Sequence, residues 1–164
     1  MRPLLLAGPP AAGKSSTGRR LAASMSLAAL VDVDDVRQLV IGGHAAPWEG
    51  DAGRRQQLLG VENACELARR FLNARVDVVL ADVLTPETIV TYRKRLTDLM
   101  IIGFRISWPE AERRAAQRPR HLTPAELERL HRDEHRYNLS YDHVIDVDHC
   151  DATAQTEQVR RLWT

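Results

Sequence analysis

The chain has 164 residues, 44% of them hydrophobic and 27% charged, and its formal net charge is +1. This length fits one domain with its own core, and the near-neutral balance excludes a disordered chain and a protein that binds nucleic acid through bulk charge. Two distant cysteines make no disulfide framework and no apolar run reaches the roughly 18 residues of a membrane-spanning helix, so we expect one cytoplasmic domain over residues 1–164, with neither a membrane nor a nucleic acid as partner.

Apolar runs alternate with amphipathic segments along the whole chain. The apolar runs predict strands at 4–7, 28–33, 76–83, 99–106 and 143–147. Helices are predicted at 14–25, 35–41, 54–73, 85–98, 109–118, from 123 onward and at 152–163, with a loop over 42–53. This order predicts an α/β fold, with a parallel sheet of about five strands and helices on both faces. Ligands bind such a sheet at the carboxyl ends of its strands, so the segments that follow the strands are the candidate site.

The segment after the first strand, residues 8–15, matches the phosphate-loop pattern G-x-x-x-x-G-K-[ST] without a mismatch. Small residues let the backbone amides surround a phosphate, and Lys14 adds a positive charge that reaches the outer phosphates. The Ser15 hydroxyl can bind magnesium, and we predict that it is the metal ligand. The residues expected to contact the nucleotide here are Pro10, Ala11, Ala12, Gly13, Lys14, Ser15 and Ser16.

Charged residues also follow the other strands. The second strand leads into Val31-Asp32-Val33-Asp34-Asp35-Val36-Arg37, and Asp82 ends the third strand. Strand alternation would place Asp32 and Asp34 on one face. After the fourth strand, the segment 111–121 contains Arg113, Arg114, Arg118 and Arg120.

With this order of phosphate loop, acidic cluster and arginine-rich segment, the sequence resembles the small P-loop kinases, especially the chloramphenicol phosphotransferase-like group. It resembles more distantly the gluconate and shikimate kinases, the tunicamycin-resistance proteins and the zeta-toxin kinases. The resemblance covers most of the chain and implies a three-layer P-loop sandwich with an arginine-rich lid over 117–124. It further implies a phosphotransferase that uses ATP and Mg²⁺ and moves the γ-phosphoryl group to a hydroxyl of a small molecule, such as an antibiotic or a sugar-like acceptor.

The same resemblance implies roles for the acidic cluster. Asp34 would be the general base at the acceptor hydroxyl, with Asp32 and Asp35 as alternatives. Arg37 and Asp82 would contact the substrate, Asp82 directly or through the water shell of magnesium. The acceptor region would span residues 34–60, and its candidate specificity residues are His44, Trp48 and Glu49.

The arginines of the fourth segment fit the R-x-x-x-R pattern of these kinases. Arg114 would pack on the adenine and Arg118 would reach the phosphates, with Arg120 close behind. Arg118 and Arg120 would stabilise the charge of the transferred group from the lid. The loop 148–153 would pack against the base.

Two alternative functions stay open at this point. One is a nucleotide-binding switch that hydrolyses ATP slowly and acts through a partner, and the other is a toxin-type kinase of nucleotide-sugars, since both would carry the same phosphate loop. The sequence is compatible with ATP or GTP and with any oligomeric state. His131-Arg132-Asp133-Glu134-His135 matches the zinc-peptidase pattern H-x-x-E-H. Its mixed charges favour a solvated helix face near the lid instead.

Overall fold

The computed structural model describes residues 2–117 and 122–163, and its five strands there form one parallel sheet in the order β2-β3-β1-β4-β5. The strands are β1 Leu4–Ala7, β2 Ala28–Asp32, β3 Asp77–Asp82, β4 Met100–Arg105 and β5 His143–Asp146. β1 lies in the centre, with Leu5 opposite Leu80 of β3 and Ile101 of β4. The predicted parallel sheet is confirmed.

The helices follow the predicted order, with corrections around the second and third. They are α1 Lys14–Ala23, α2 Val33–Arg37, α3 Gly50–Asn73, α4 Pro86–Arg95, α5 Trp108–Ala116, α6 Pro124–Tyr137 and α7 Ala152–Trp163. The prediction of α2 at 35–41 is wrong, because the helix begins at Val33, directly after β2. The Asp32 side chain caps this helix and accepts a hydrogen bond from the Asp34 amide at 3.2 Å.

The loop predicted over 42–53 is also displaced, since helix α3 begins at Gly50 and the connection is residues 38–49. Gly53 is a helical residue that touches this loop, and a Cβ there would lie 1.9 Å from the Ala46 carbonyl oxygen. Gly53 therefore permits the loop to cross the first turn of the helix closely. In the sequence Gly53 belongs to a segment whose composition indicates a turn, whereas in the structure it lies in α3 and makes room for the loop.

The sheet separates two hydrophobic cores. Helices α2, α3 and α4 cover one face, and helices α1, α5 and α7 cover the other. Alternation along β1 divides its side chains, so that Leu5 points into the first core while Leu4 and Leu6 point into the second. The expected three-layer arrangement is confirmed.

Among the described residues, no helix combines the length and apolarity that crossing a bilayer would require.

Candidate active site

The phosphate loop joins β1 to α1 at the centre of the sheet. Gly8, Ala11 and Gly13 have positive φ angles of 141°, 66° and 91°. A Cβ on Gly8 would lie 2.6 Å from the Phe104 carbonyl oxygen, so only glycine fits there. Gly13 caps α1 without a side-chain hydrogen bond to the first turn, and this leaves backbone N–H groups of the helix start for an anion.

Lys14 is buried inside this loop. Its Nζ donates to the Pro9 carbonyl oxygen at 2.9 Å. Burial lowers the pKa of Lys14, and the negative charges of Asp34, Asp82 and Asp32 act in the opposite direction. The ammonium group is therefore held in place by a neutral carbonyl, within the field of the acidic cluster.

A residue that sequence reasoning missed supports the loop from below. Gln155 of α7 is 2% exposed, and its Nε2 donates to the Ala12 carbonyl oxygen at 2.9 Å. The same amide would lie 3.1 Å from a Cβ on Gly13. The available signal was the position of Gln155 on the stripe of Val159 and Trp163, where a buried polar side chain needs a partner.

The acidic cluster divides into different environments. Asp32 caps α2, and Asp35 is exposed. The Asp34 side chain is 60% exposed, and its carboxylate pairs with the Arg37 guanidinium. The strand-alternation argument for Asp32 and Asp34 is wrong, since β2 ends at Asp32 and Asp34 belongs to a helix.

Asp82 lies beneath this pair and is buried. One of its oxygens accepts from Arg37 Nη1 at 3.1 Å and from the Val83 amide at 2.8 Å, and the other accepts from the Tyr92 hydroxyl at 2.8 Å. Burial raises the pKa of Asp82, while the positive charge of Arg37 and the hydrogen bonds lower it. Burial and the neighbouring Asp82 carboxylate hold the pKa of Tyr92 well above its usual range. Sequence reasoning missed Tyr92, and contact of Asp82 with substrate stays a prediction.

Arg114 joins two segments of the region in which the adenine is predicted to bind. Its guanidinium donates to the Glu110 carboxylate at 2.6 Å and to the Cys150 carbonyl oxygen at 3.1 Å, and it also donates to the Val147 carbonyl oxygen. Hydrogen bonds from Arg113 and Arg114 lower the pKa of Glu110 to about 2. Arg114 thus links α5 to the segment after β5, and its packing on adenine stays a prediction. Arg118 and Arg120 lie outside the described residues.

The predicted acceptor region, residues 34–60, contains the loop 38–49. Glu49 shapes this loop, since its carboxylate accepts from the Ala46 amide at 2.6 Å, and His44 is exposed. Trp48 lines an open cleft of about 430 Å³ that it shares with α6. The α6 residues in this cleft are Ala125, Glu126, Arg129, Arg132, Asp133 and Arg136.

The H-x-x-E-H segment lies on α6, and its interpretation as a wholly solvated face is wrong. His131 is buried, because its Nε2 lies 3.0 Å from the Ile106 carbonyl oxygen and its ring packs edge-on against Trp108. His135 packs against His131 at 4.7 Å between ring centroids. In the described part of the chain, no group of three or more His, Cys, Asp or Glu residues is arranged to hold a metal ion.

No protein-family model matches the sequence, and no curated protein is similar to it in sequence. Solved structures do resemble it. A sugar kinase from Janibacter sp. HTCC2649 has a TM-score of 0.74 at 15% identity, covering 98% of this chain and 93% of its own. A tunicamycin resistance protein from Deinococcus radiodurans has a TM-score of 0.68 at 10% identity, with coverage of 98% and 94%. A gluconokinase from Sinorhizobium meliloti 1021 has a TM-score of 0.67 at 17% identity, with coverage of 98% and 93%. The chain therefore has the P-loop fold that its resemblance to small-molecule kinases implies.

Proposed function

We propose that this chain is a phosphotransferase that moves the γ-phosphoryl group of ATP to a hydroxyl of a small molecule. The observation that carries the proposal is the proximity of the acidic cluster to the phosphate loop, since Asp82 lies opposite Ala7 in the sheet and Arg37 links Asp82 to Asp34. A kinase needs these two parts together, a cationic phosphate cradle and a carboxylate that can receive the hydroxyl proton.

Each part has a role in the transfer. Lys14 and the amides at the start of α1 hold the phosphates, and the exposed Asp34 carboxylate faces solvent from which an acceptor can approach. The acceptor oxygen forms a bond to the γ-phosphorus, the bond from that phosphorus to the β–γ bridging oxygen breaks, ADP leaves, and Asp34 takes the hydroxyl proton. Arg118 and Arg120 are proposed to neutralise the charge of the transferred group.

Magnesium fits the donor set of this loop. Ser15 follows Lys14 in the first turn of α1, where its hydroxyl can supply one ligand. Mg²⁺ commonly takes one or two protein oxygens together with phosphates and water, so a larger protein cage is not required. When bound, the ion would reduce the negative charge of the phosphates.

The acceptor is proposed to enter between the loop 38–49 and α6. Trp48 offers a flat apolar surface, and the three arginines of the cleft outnumber its two carboxylates, Glu126 and Asp133. Sugar acids and other hydroxylated anions are therefore tested first, followed by sugars, nucleosides, nucleotide-sugars and antibiotics.

The experiment measures ADP release from Mg-ATP with each acceptor, with Lys14→Ala as the matched control. An acceptor-dependent rate that disappears in Lys14→Ala supports the kinase. Asp34→Asn should bind ATP normally and lose transfer, because the amide cannot accept the proton. Tight ATP binding without acceptor dependence across the panel would favour a nucleotide-binding switch, and full transfer by Asp34→Asn would remove Asp34 from the role of base.

A further inference from the structure

We propose that Arg37 is a positioning residue, held from beneath by Asp82 and Tyr92, which fixes the orientation of Asp34 and does not itself bind the acceptor. This inference rests on the proposed function, because Asp34 is the proposed base. It assigns Asp82 and Tyr92 to the support of that base.

The first observation is that both terminal nitrogens of the Arg37 guanidinium already bond to carboxylates. The side chain is 10% exposed, with Nη1 3.1 Å from Asp82 and Nη2 donating to Asp34. Burial alone would lower the pKa of Arg37, but the Asp82 and Asp34 carboxylates raise it above its usual range, so the guanidinium stays charged. A substrate anion would have to compete with two carboxylates for a guanidinium that is largely enclosed.

The second observation concerns Asp82, whose two carboxylate oxygens are also occupied. They accept from Arg37, from the Val83 amide and from the Tyr92 hydroxyl, which comes from α4 in the first core. Because Asp82 and Tyr92 are both buried, neither has freedom to turn. Asp82 is therefore a fixed anchor for the guanidinium.

The third observation is the space that Gly60 leaves on α3. A Cβ at this position would lie 2.4 Å from Arg37 Cγ and 3.2 Å from Cδ. Any larger residue would displace the aliphatic part of Arg37. Gly60 therefore leaves room for the aliphatic part of Arg37 against α3.

These contacts form a series from the core to the exposed edge, running Tyr92, Asp82, Arg37 and Asp34. Helix α2 has only five residues, and the Asp34 side chain is largely in solvent. Without a fixed partner, its carboxylate would sample several rotamers, and only a fraction would be within reach of an acceptor hydroxyl. The anchored guanidinium selects one of them.

The test is Tyr92→Phe, which removes one hydrogen bond to Asp82 and keeps the ring in the core. With full-length protein, Mg-ATP and the best acceptor of the panel, or water where none is turned over, we expect kcat to fall about tenfold. The KM values for acceptor and Mg-ATP should stay within about twofold. Tyr141→Phe is the matched control, since it removes a tyrosine hydroxyl that donates to Glu134 at 2.9 Å, a residue outside this series.

A second variant separates positioning from acceptor binding. Arg37→Ala should lower kcat, and added guanidinium ion should restore part of it without changing the acceptor KM. An increased acceptor KM with unchanged kcat in Arg37→Ala would overturn the proposal. So would a kcat within twofold of wild type in Tyr92→Phe.

An acceptor-independent measurement keeps this inference distinct from the proposed function. The guanidinium N–H signals of Arg37, assigned by their loss in Arg37→Lys, should be resolved by ¹⁵N NMR in the wild type and broadened in Tyr92→Phe. Identical signals in both proteins would overturn the anchoring even in an active kinase. Broadening in a protein without transferase activity would retain the anchoring and reject the kinase.

Discussion

Replacing Gln155 by Met tests whether the amide beneath the phosphate loop keeps the loop ready for nucleotide. Met has a similar length but no donor, so the buried Ala12 carbonyl oxygen would lose the Nε2 bond that it now accepts at 2.9 Å. An unsatisfied buried acceptor costs about 1–3 kcal/mol. If the loop stays ordered without nucleotide, the free energy of unfolding falls by this amount. If the loop loosens, the nucleotide must order it again, and Kd rises about 5- to 150-fold for the same energy.

The two losses must therefore sum to about 1–3 kcal/mol, however they are divided. Calorimetric titration with Mg-ATP gives the change in Kd, and urea unfolding of the nucleotide-free protein gives the change in stability. Gln158→Met, one turn further along α7, is the matched control, because its Nε2 donates to the Cys150 sulfur at 3.3 Å, a weak acceptor. If Gln155→Met leaves both the Kd for Mg-ATP and the free energy of unfolding unchanged, the Gln155 amide does not support the phosphate loop.

Three further predictions follow from packing and charge. Gly60→Ala should lower kcat, although alanine favours a helix by about 1 kcal/mol over glycine, because its Cβ would collide with Arg37; an activity equal to wild type would refute this collision. At neutral pH, Glu110→Gln should have a lower free energy of unfolding than wild type, measured by urea titration. This difference should shrink as pH falls from about 4.5 towards 2, because the pKa of Glu110 in the folded state is lowered to about 2. Mg-ATP should slow the reaction of Cys150 with a thiol reagent, because the loop 148–153 is predicted to pack against the adenine; unchanged kinetics at Cys150 would place the adenine elsewhere. Cys65, whose pKa burial raises to about 12, should react only on unfolding.

The order of strands and helices could be predicted because each element carries its own local pattern. Apolar runs mark the strands, and Thr85 and Thr123 form the capping boxes that begin α4 and α6. The phosphate loop was equally accessible, since its residues are contiguous and its strand–loop–helix context is local. Local patterns therefore carried most of the fold and one half of the candidate site.

The other half depends on contacts between distant residues. Arg37 and Asp82 are 45 positions apart, and Gln155 and Ala12 are 143 positions apart. No periodicity relates such pairs, and only the stacking of β1, β3 and α7 brings them together. Gly60 shows the same limit, because in the sequence it is an unfavourable helix residue, and its value appears only when Arg37 occupies the adjoining space.

The two buried cations near the acidic cluster differ in what they can do for a ligand. Within residues 2–117 and 122–163, Lys14 makes no ion pair and donates to one neutral carbonyl, and burial lowers its pKa. Arg37 contacts two carboxylates, and its pKa is raised. A buried ammonium without a close counter-ion gains strongly from an arriving phosphate, whereas a guanidinium already paired with Asp34 and Asp82 gains little. The same electrostatic argument therefore favours Lys14 as the nucleotide-binding cation and Arg37 as a partner of the protein's own carboxylates, and it predicts that nucleotide affinity is sensitive to the first residue and turnover to the second.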